Sequence, residues 1–305
     1  MAERGNFMNY NNLMRFLPDE RKNQLQKVID TLKIGGRSEK TIDNYVCAIN
    51  RFFSYFKNEK LSKLTEEDIL DYIKDNYFEK NCSSHTYNLN ICAIKYFYSV
   101  NFRKEFNNKI LPRAKVVKRM PTTIDKETFN KIFNNEDNLK HKCWLLLAYS
   151  SGLRVEEIAN LKVVDIDSKQ HQLKVFGKRK KERFTVLTDF TIEYLRLYFK
   201  KYYYFKYNMK TTYTGYLFEG NEGLEHISSK TITNYFTSLK YKYNLPENIT
   251  FHSLRHSFAT NFINQGGDPF VLKSMMGHSS LNTTSIYIHM GRDFNNLKGV
   301  NYDKI

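Results

Sequence analysis

Residues 107–123, NNKILPRAKVVKRMPTT, hold Pro112 and Pro121 together with Lys109, Arg113, Lys115, Lys118 and Arg119, and no acidic side chain. Each proline fixes its own φ and lacks an amide donor, so a helix does not run through this stretch. Unopposed positive charge extends such a segment further. The stretch therefore reads as a linker, assigned to residues 107–122, that divides the chain. Its charge has two readings, a solvated connector or a segment lying along phosphates.

The sequence on the N-terminal side is helical in period. Residues 1–22 are polar and read as a flexible arm, and residues 23–106 as a domain of about four helices. Between Ser38 and Phe56 the apolar positions Ile42, Tyr45, Val46, Ile49, Phe52, Phe53 and Phe56 follow the i, i+3, i+4, i+7 rule. Thr65-Glu66-Glu67-Asp68 has the form of a capping box opening a helix through Ile69, Tyr72 and Ile73. Tyr87, Ile91, Ile94, Phe97 and Tyr98 supply another apolar face.

Residues 123–305 are mixed in pattern. Leu139–Ser150 is a strongly apolar helix, followed by Gly152 and a short helix from Val155 to Leu161. Leu173–Phe176 and Arg183–Leu187 alternate as two strands around a basic tip, residues 177–182. Helices are expected at Phe190–Tyr207, Ser229–Tyr243 and Ser253–Asn264, with Asp268-Pro269 as cap and first-turn proline of one more. The fold class is therefore mainly α with a small β-sheet.

Lys and Arg number 48 against 32 Asp and Glu, a net charge of +16 that favours a polyanionic partner, nucleic acid or an anionic membrane surface. No apolar stretch reaches the roughly 18 to 20 residues a spanning helix needs, which disfavours a membrane. The first ten residues include Glu3 and Arg4 and no apolar run of signal-peptide type, so export is not expected. Cys47, Cys82, Cys92 and Cys143 show no metal-site spacing and read as reduced thiols of a cytoplasmic protein.

Four short segments carry groups suited to phosphodiester chemistry: Ser151-Gly152-Leu153-Arg154-Val155-Glu156-Glu157, the tip with Lys178, His252-Ser253-Leu254-Arg255-His256, and Gly277-His278-Ser279-Ser280 with Tyr287 beyond. A guanidinium binds two phosphate oxygens at once, and lysine or histidine moves a proton. A tyrosine beside such charge is a credible nucleophile. Two arginines around one phosphate would offset the extra charge of a pentavalent transition state. His252 and His256 lack the intervening glutamate of a zinc-hydrolase helix, and no carboxylate cluster accompanies the arginines, so no metal and no cofactor are expected.

The order and spacing of these segments resemble the tyrosine recombinase, or phage integrase, family, over about Gln24 to Tyr287. The resemblance rests on S-G-L-R-x-x-E, G-K-x-x-K-E-R, H-S-L-R-H-S-F-A-T and G-H-S-S followed by Y-I-H. It implies an N-terminal, SAM-like, core-DNA-binding domain and an α+β catalytic domain closing as a C-shaped clamp on DNA. It implies catalytic roles for Arg154, Lys178, His252, Arg255, His278 and the nucleophile Tyr287, with Glu157 in support. Lys181 competes with Lys178 as general acid, because Arg179 stands where the family commonly has glycine. Lys109, Arg113, Lys115, Lys118, Arg119, Arg179 and Lys181 are the expected DNA contacts. The implied partner is a double-stranded site with inverted core-binding elements, held by a homotetramer. The implied reaction is site-specific recombination through a 3′-phosphotyrosine and a Holliday junction. Two other classes use related features: a type IB topoisomerase, and a noncatalytic DNA-binding module.

Overall fold

The computed structural model describes residues 14–78, 80, 82–116, 120–177, 182–203, 214–220, 226–277 and 284. The chain divides into two compact units, residues 1–118 and 119–305.

The first unit contains α1 (Asp19–Ile34), α2 (Glu39–Tyr55), α3 (Glu66–Ile73) and α4 (Ser84–Phe102). Helix α2 starts where Ser38 Oγ accepts from the Thr41 amide, and it buries Ile42, Val46, Ile49, Phe52 and Phe53, the face its apolar spacing predicts. Thr65 and Asp68 close the capping box of α3 reciprocally, at 2.7 Å and 3.2 Å. The core is aromatic and packed edge-to-face, with Phe52 against Tyr72 at 5.2 Å and Phe53 against Phe97 at 5.3 Å.

Two features depart from the sequence reading. Helix α1 begins at Asp19, inside the stretch read as an arm, because Asp19 and Glu20 suit the positive end of a helix. Arg21 on its first turn is buried and donates to the carbonyls of Phe53, in the last turn of α2, and of Phe56, Lys57 and Glu59 just beyond it.

The beginning of the proline-bearing stretch is likewise docked rather than free. Leu111 is fully buried in the helical core, and Tyr87 donates its hydroxyl proton to the Pro112 carbonyl at 2.6 Å. Asn88 pairs with both backbone groups of Ala114, and Lys95 holds the Leu111 carbonyl at 2.8 Å. Lys109, Arg113 and Lys115 still face solvent. Prolines exclude a helix, but they leave an extended chain able to lie on a helical surface.

The second unit contains α5 (Lys126–Asn134), α6 (Leu139–Tyr149), α7 (Val155–Ala159), α8 (Asp189–Tyr203), α9 (Ser229–Lys242), α10 (Phe251–Asn264) and α11 (Pro269–Met276). Strands β1 (Ile166–Asp167), β2 (Gln172–Phe176) and β3 (Glu182–Val186) form an antiparallel sheet in that order. Helix α6 is buried from Cys143 to Tyr149 without a polar stripe, as the central helix of a core must be. Trp144 of this helix meets Phe218 edge-to-face at 6.1 Å, and Phe129 of α5 stacks on Tyr149 at 3.8 Å. The Cys143 thiol lies in this core 3.5 Å from the Tyr194 carbonyl, and burial pushes its pKa up.

The tip expected at residues 177–182 is bracketed by Phe176 and Glu182, which pair in register. The two-residue β1 and the nine-residue α5 have no counterpart in the sequence reading. Helix α10 starts at Phe251, two residues before the expected boundary, with the Thr250 amide donating to Ser253 Oγ at 3.0 Å. Among the described residues no helix is long and apolar enough to cross a membrane.

Candidate active site

The site is built on two sharp turns and one helix. After α6 the chain reverses at Gly152, whose φ is +67° and whose missing side chain leaves room for the Phe258 ring. A β-carbon there would lie 2.4 Å from that ring, so the S-G-L-R segment closes on α10 only with glycine present. Arg154 then caps α7, and Glu157, one turn on, returns its carboxylate to the Arg154 amide at 2.7 Å.

Glu157 is the hub. Its Oε1 accepts from Arg154 Nη1 at 2.8 Å and from Arg183 Nη1 at 2.7 Å, while its Oε2 accepts from Arg183 Nη2 at 2.7 Å. Arg255 Nη1 stands 3.7 Å from the same Oε2. Burial alone would raise the pKa of this carboxyl. The bonds and charge of Arg183, the Arg154 amide and the Arg255 charge outweigh that and hold it at about 2.

The third segment is the end of α11. Gly277 takes a left-handed conformation, φ +61°, and stops the helix. The Met276 carbonyl, left without a helical donor, accepts from Arg154 Nη2 at 3.3 Å and from Arg255 Nη2. Arg255 also donates to the Gly152 carbonyl, and Arg183 Nε donates to the Met275 carbonyl at 2.7 Å. Segments distant in sequence are thus tied by arginines to one carboxylate and one helix end.

Exposure separates the three arginines. The Arg154 side chain is 33% exposed, whereas Arg183 and Arg255 are 7% and 4% exposed. Arg154 therefore has the most exposed side chain of the three. His252 precedes Arg255 by almost one helical turn on α10 and is open to solvent. Desolvation by the surrounding chain, then the charges of Arg255 and Arg154, lower its pKa. Its imidazole is accordingly neutral near pH 7 and able to accept a proton. Burial, with smaller contributions from His252 and Arg255, pushes the neighbouring His256 to about 4.

Of the residues singled out from sequence, Arg154, Glu157, His252 and Arg255 meet here. Lys109, Arg113 and Lys115 lie exposed on the first unit. Lys118, Arg119, Lys178, Arg179, Lys181, His278 and Tyr287 fall outside the described residues. Arg183 stood in a quoted motif without a role. The signal for it was the β3 alternation, in which Arg183 and Thr185 occupy the inward positions, because a buried arginine requires a carboxylate.

The chain is thus a mainly helical, two-unit protein whose second unit gathers three arginines on one carboxylate and one helix end. The sequence profile described as the phage integrase family matches residues 117–292, and that of the phage integrase N-terminal SAM-like domain matches residues 25–107. Tyrosine recombinase XerD of Staphylococcus epidermidis is 28% identical over 84% of this chain and 90% of its own length. Tyrosine recombinase XerA of Pyrococcus horikoshii is 29% identical over 86% and 87%. Among solved structures, the XerH site-specific recombinase bound to palindromic difH substrate, a post-cleavage complex, superposes with a TM-score of 0.70 at 20% identity, covering 93% of this chain and 85% of that one. The chain belongs to the phage integrase family, as a two-domain, Xer-like tyrosine site-specific recombinase.

Proposed function

We propose that the chain recombines double-stranded DNA at sites with inverted core-binding elements, cutting and rejoining each strand through a 3′-phosphotyrosine on Tyr287. The Tyr287 oxygen attacks the scissile phosphorus, the bond from phosphorus to the 5′ oxygen breaks, and that oxygen leaves as a hydroxyl after taking a proton. Lys178 is assigned as the donor of that proton, with Lys181 as its competitor. His252, neutral near pH 7, is assigned as acceptor of the phenol proton, and His278 as donor to a phosphate oxygen. The 5′ hydroxyl of a partner strand then attacks the phosphotyrosine and releases Tyr287. Phosphodiester energy is retained, so the cycle needs neither ATP nor a metal. Two such exchanges pass through a Holliday junction held by four protomers.

The observation that carries this reading is the convergence of Arg154 and Arg255 on Glu157 and the Met276 carbonyl. A phosphate seated there would meet positive charge fixed in advance, where charge accumulates in the transition state. Lys109, Arg113, Lys115, Lys118, Arg119, Arg179 and Lys181 are assigned to DNA phosphates, which position the duplex without reading its sequence. The reaction serves integration and excision of a mobile element or resolution of DNA multimers.

The test is a nicked suicide duplex carrying the cognate site. The wild-type chain should form a covalent adduct on the 3′ side, and Tyr287→Phe should bind the duplex without forming it. An adduct surviving that change would refute Tyr287. Relaxation of a plasmid lacking the site would favour the topoisomerase reading instead.

A further inference from the structure

Arg183 joins three segments of the second unit and has no part in the reaction as set out above. It is buried on β3, with its fork on both oxygens of Glu157 and its Nε on the Met275 carbonyl. Two residues on, Thr185 Oγ1 donates to the Ser151 carbonyl at 2.7 Å, so β3 grips the S-G-L-R segment twice. At Gly277 an added β-carbon would stand 2.9 Å from Arg183 Cδ, so the turn preceding His278 is shaped around this side chain.

The charges give this placement its chemical meaning. Glu157 lies within 4 Å of Arg154, Arg183 and Arg255, so the four groups together carry two net positive charges. The bidentate pair with Arg183 is the closest of these contacts, and both of its members are buried. Without it, the full carboxylate charge would fall on Arg154 and Arg255, the two guanidiniums assigned to the phosphate.

We propose that Arg183 is a positioning residue for strand cleavage: it engages Glu157, so that Arg154 keeps its charge for the scissile phosphate, and it fixes the end of α11 ahead of His278. Arg183 does not itself touch DNA, since its side chain is buried and each of its three nitrogens donates within the protein. The inference rests on the proposed reaction and concerns the chemical step alone.

Single-turnover cleavage of the suicide duplex, with site affinity measured in parallel, tests it. Arg183→Gln should slow cleavage by about 10- to 100-fold, the scale of a misplaced reacting group, while the Kd for the site changes less than about threefold. Adding Glu157→Gln should then recover at least about a third of the lost rate in logarithmic terms, because it removes the charge that Arg183 no longer balances. A simple packing role predicts no recovery, since the double variant loses both partners. Cleavage by Arg183→Gln at the wild-type rate, or a double variant no faster than the single, overturns the proposal. Should Arg183→Gln not accumulate folded, Arg183→Lys decides: its point charge reaches one oxygen, so cleavage should slow about 3- to 10-fold at unchanged affinity, and an undiminished rate overturns the proposal. If the wild-type chain forms no adduct at all, the proposed reaction fails first; if it does and these variants match it, only the role of Arg183 fails.

Discussion

Glu157 and Arg183 meet through two parallel hydrogen bonds of 2.7 Å, and both side chains are more than nine-tenths buried. Removing one member of such a pair costs more than the pair contributes, because its partner stays in a poorly hydrated place. Glu157→Ala leaves three guanidiniums facing one another and should destabilise the second unit by about 3–5 kcal/mol. Urea unfolding followed by Trp144 fluorescence measures this, since Trp144, the single tryptophan, lies in that unit's core.

Acid should weaken the fold in two stages. His256 titrates at about 4 in the folded chain against 6.5 for its ordinary value. Below pH 6.5 the unfolded chain therefore takes up a proton that the folded one refuses, and stability falls until about pH 4. Glu157, at about 2 against an ordinary 4.5, contributes stability that is complete above pH 4.5 and is lost as pH falls toward 2. Denaturation midpoints recorded from pH 8 to pH 2 should show both stages. Glu157→Gln should shrink the lower stage and leave the upper one in place, the remainder of the lower stage belonging to Asp68, Asp125 and Glu136, whose pKa values are also lowered.

Arg154 and Arg255 should respond differently to truncation. Arg154→Ala removes a partly exposed guanidinium and should slow cleavage by about 10²–10³ with the fold and site affinity nearly intact. Arg255→Ala should slow cleavage too, but it also strips donors from the Gly152 and Met276 carbonyls inside the protein. Its melting temperature should fall well below that of Arg154→Ala, and equal melting points would contradict the burial of Arg255.

Gly152→Ala combines a left-handed backbone with a β-carbon 2.4 Å from the edge of the Phe258 ring. The conformation costs about 1–2 kcal/mol and overpacking about 1–3 kcal/mol more. Trimming the ring, Phe258→Ala, should recover none of the backbone cost but part of the steric one, a non-additivity read from a double-mutant cycle.

Lys109, Arg113 and Lys115 stay exposed although the chain beneath them is docked. Replacing all three with alanine should flatten the dependence of log Kd on log salt by about 0.9 for each that sits on a phosphate. An unchanged slope would place them away from DNA.

What was legible from sequence was whatever depends on near neighbours. Ser38, Thr65 and Asp268 announce helix starts because a cap is satisfied within three residues. The hairpin was legible because alternation and a basic tip are local. The roles of Arg154, Glu157, His252 and Arg255 came from resemblance, and the structure brings their side chains toward a common region. The partnership of Arg183 with Glu157 spans 26 residues, and that of Arg21 with Phe53 spans 32, so neither leaves a local signature. The docking of Leu111 depends on a groove that helices make only after packing. Likewise α5 is short, and its apolar residues gain meaning only when Phe129 finds Tyr149.

The burial of Cys143 has an experimental consequence. Cys47, Cys82 and Cys92 all precede the division between the units, so Cys143 is the lone thiol of the second. A reagent reaches that sulfur only when α6 is uncovered, and the raised pKa keeps it protonated until then. The rate at which Cys143 is alkylated is therefore a clock for the opening of the catalytic unit, read without any added label and separately from the helical unit beside it.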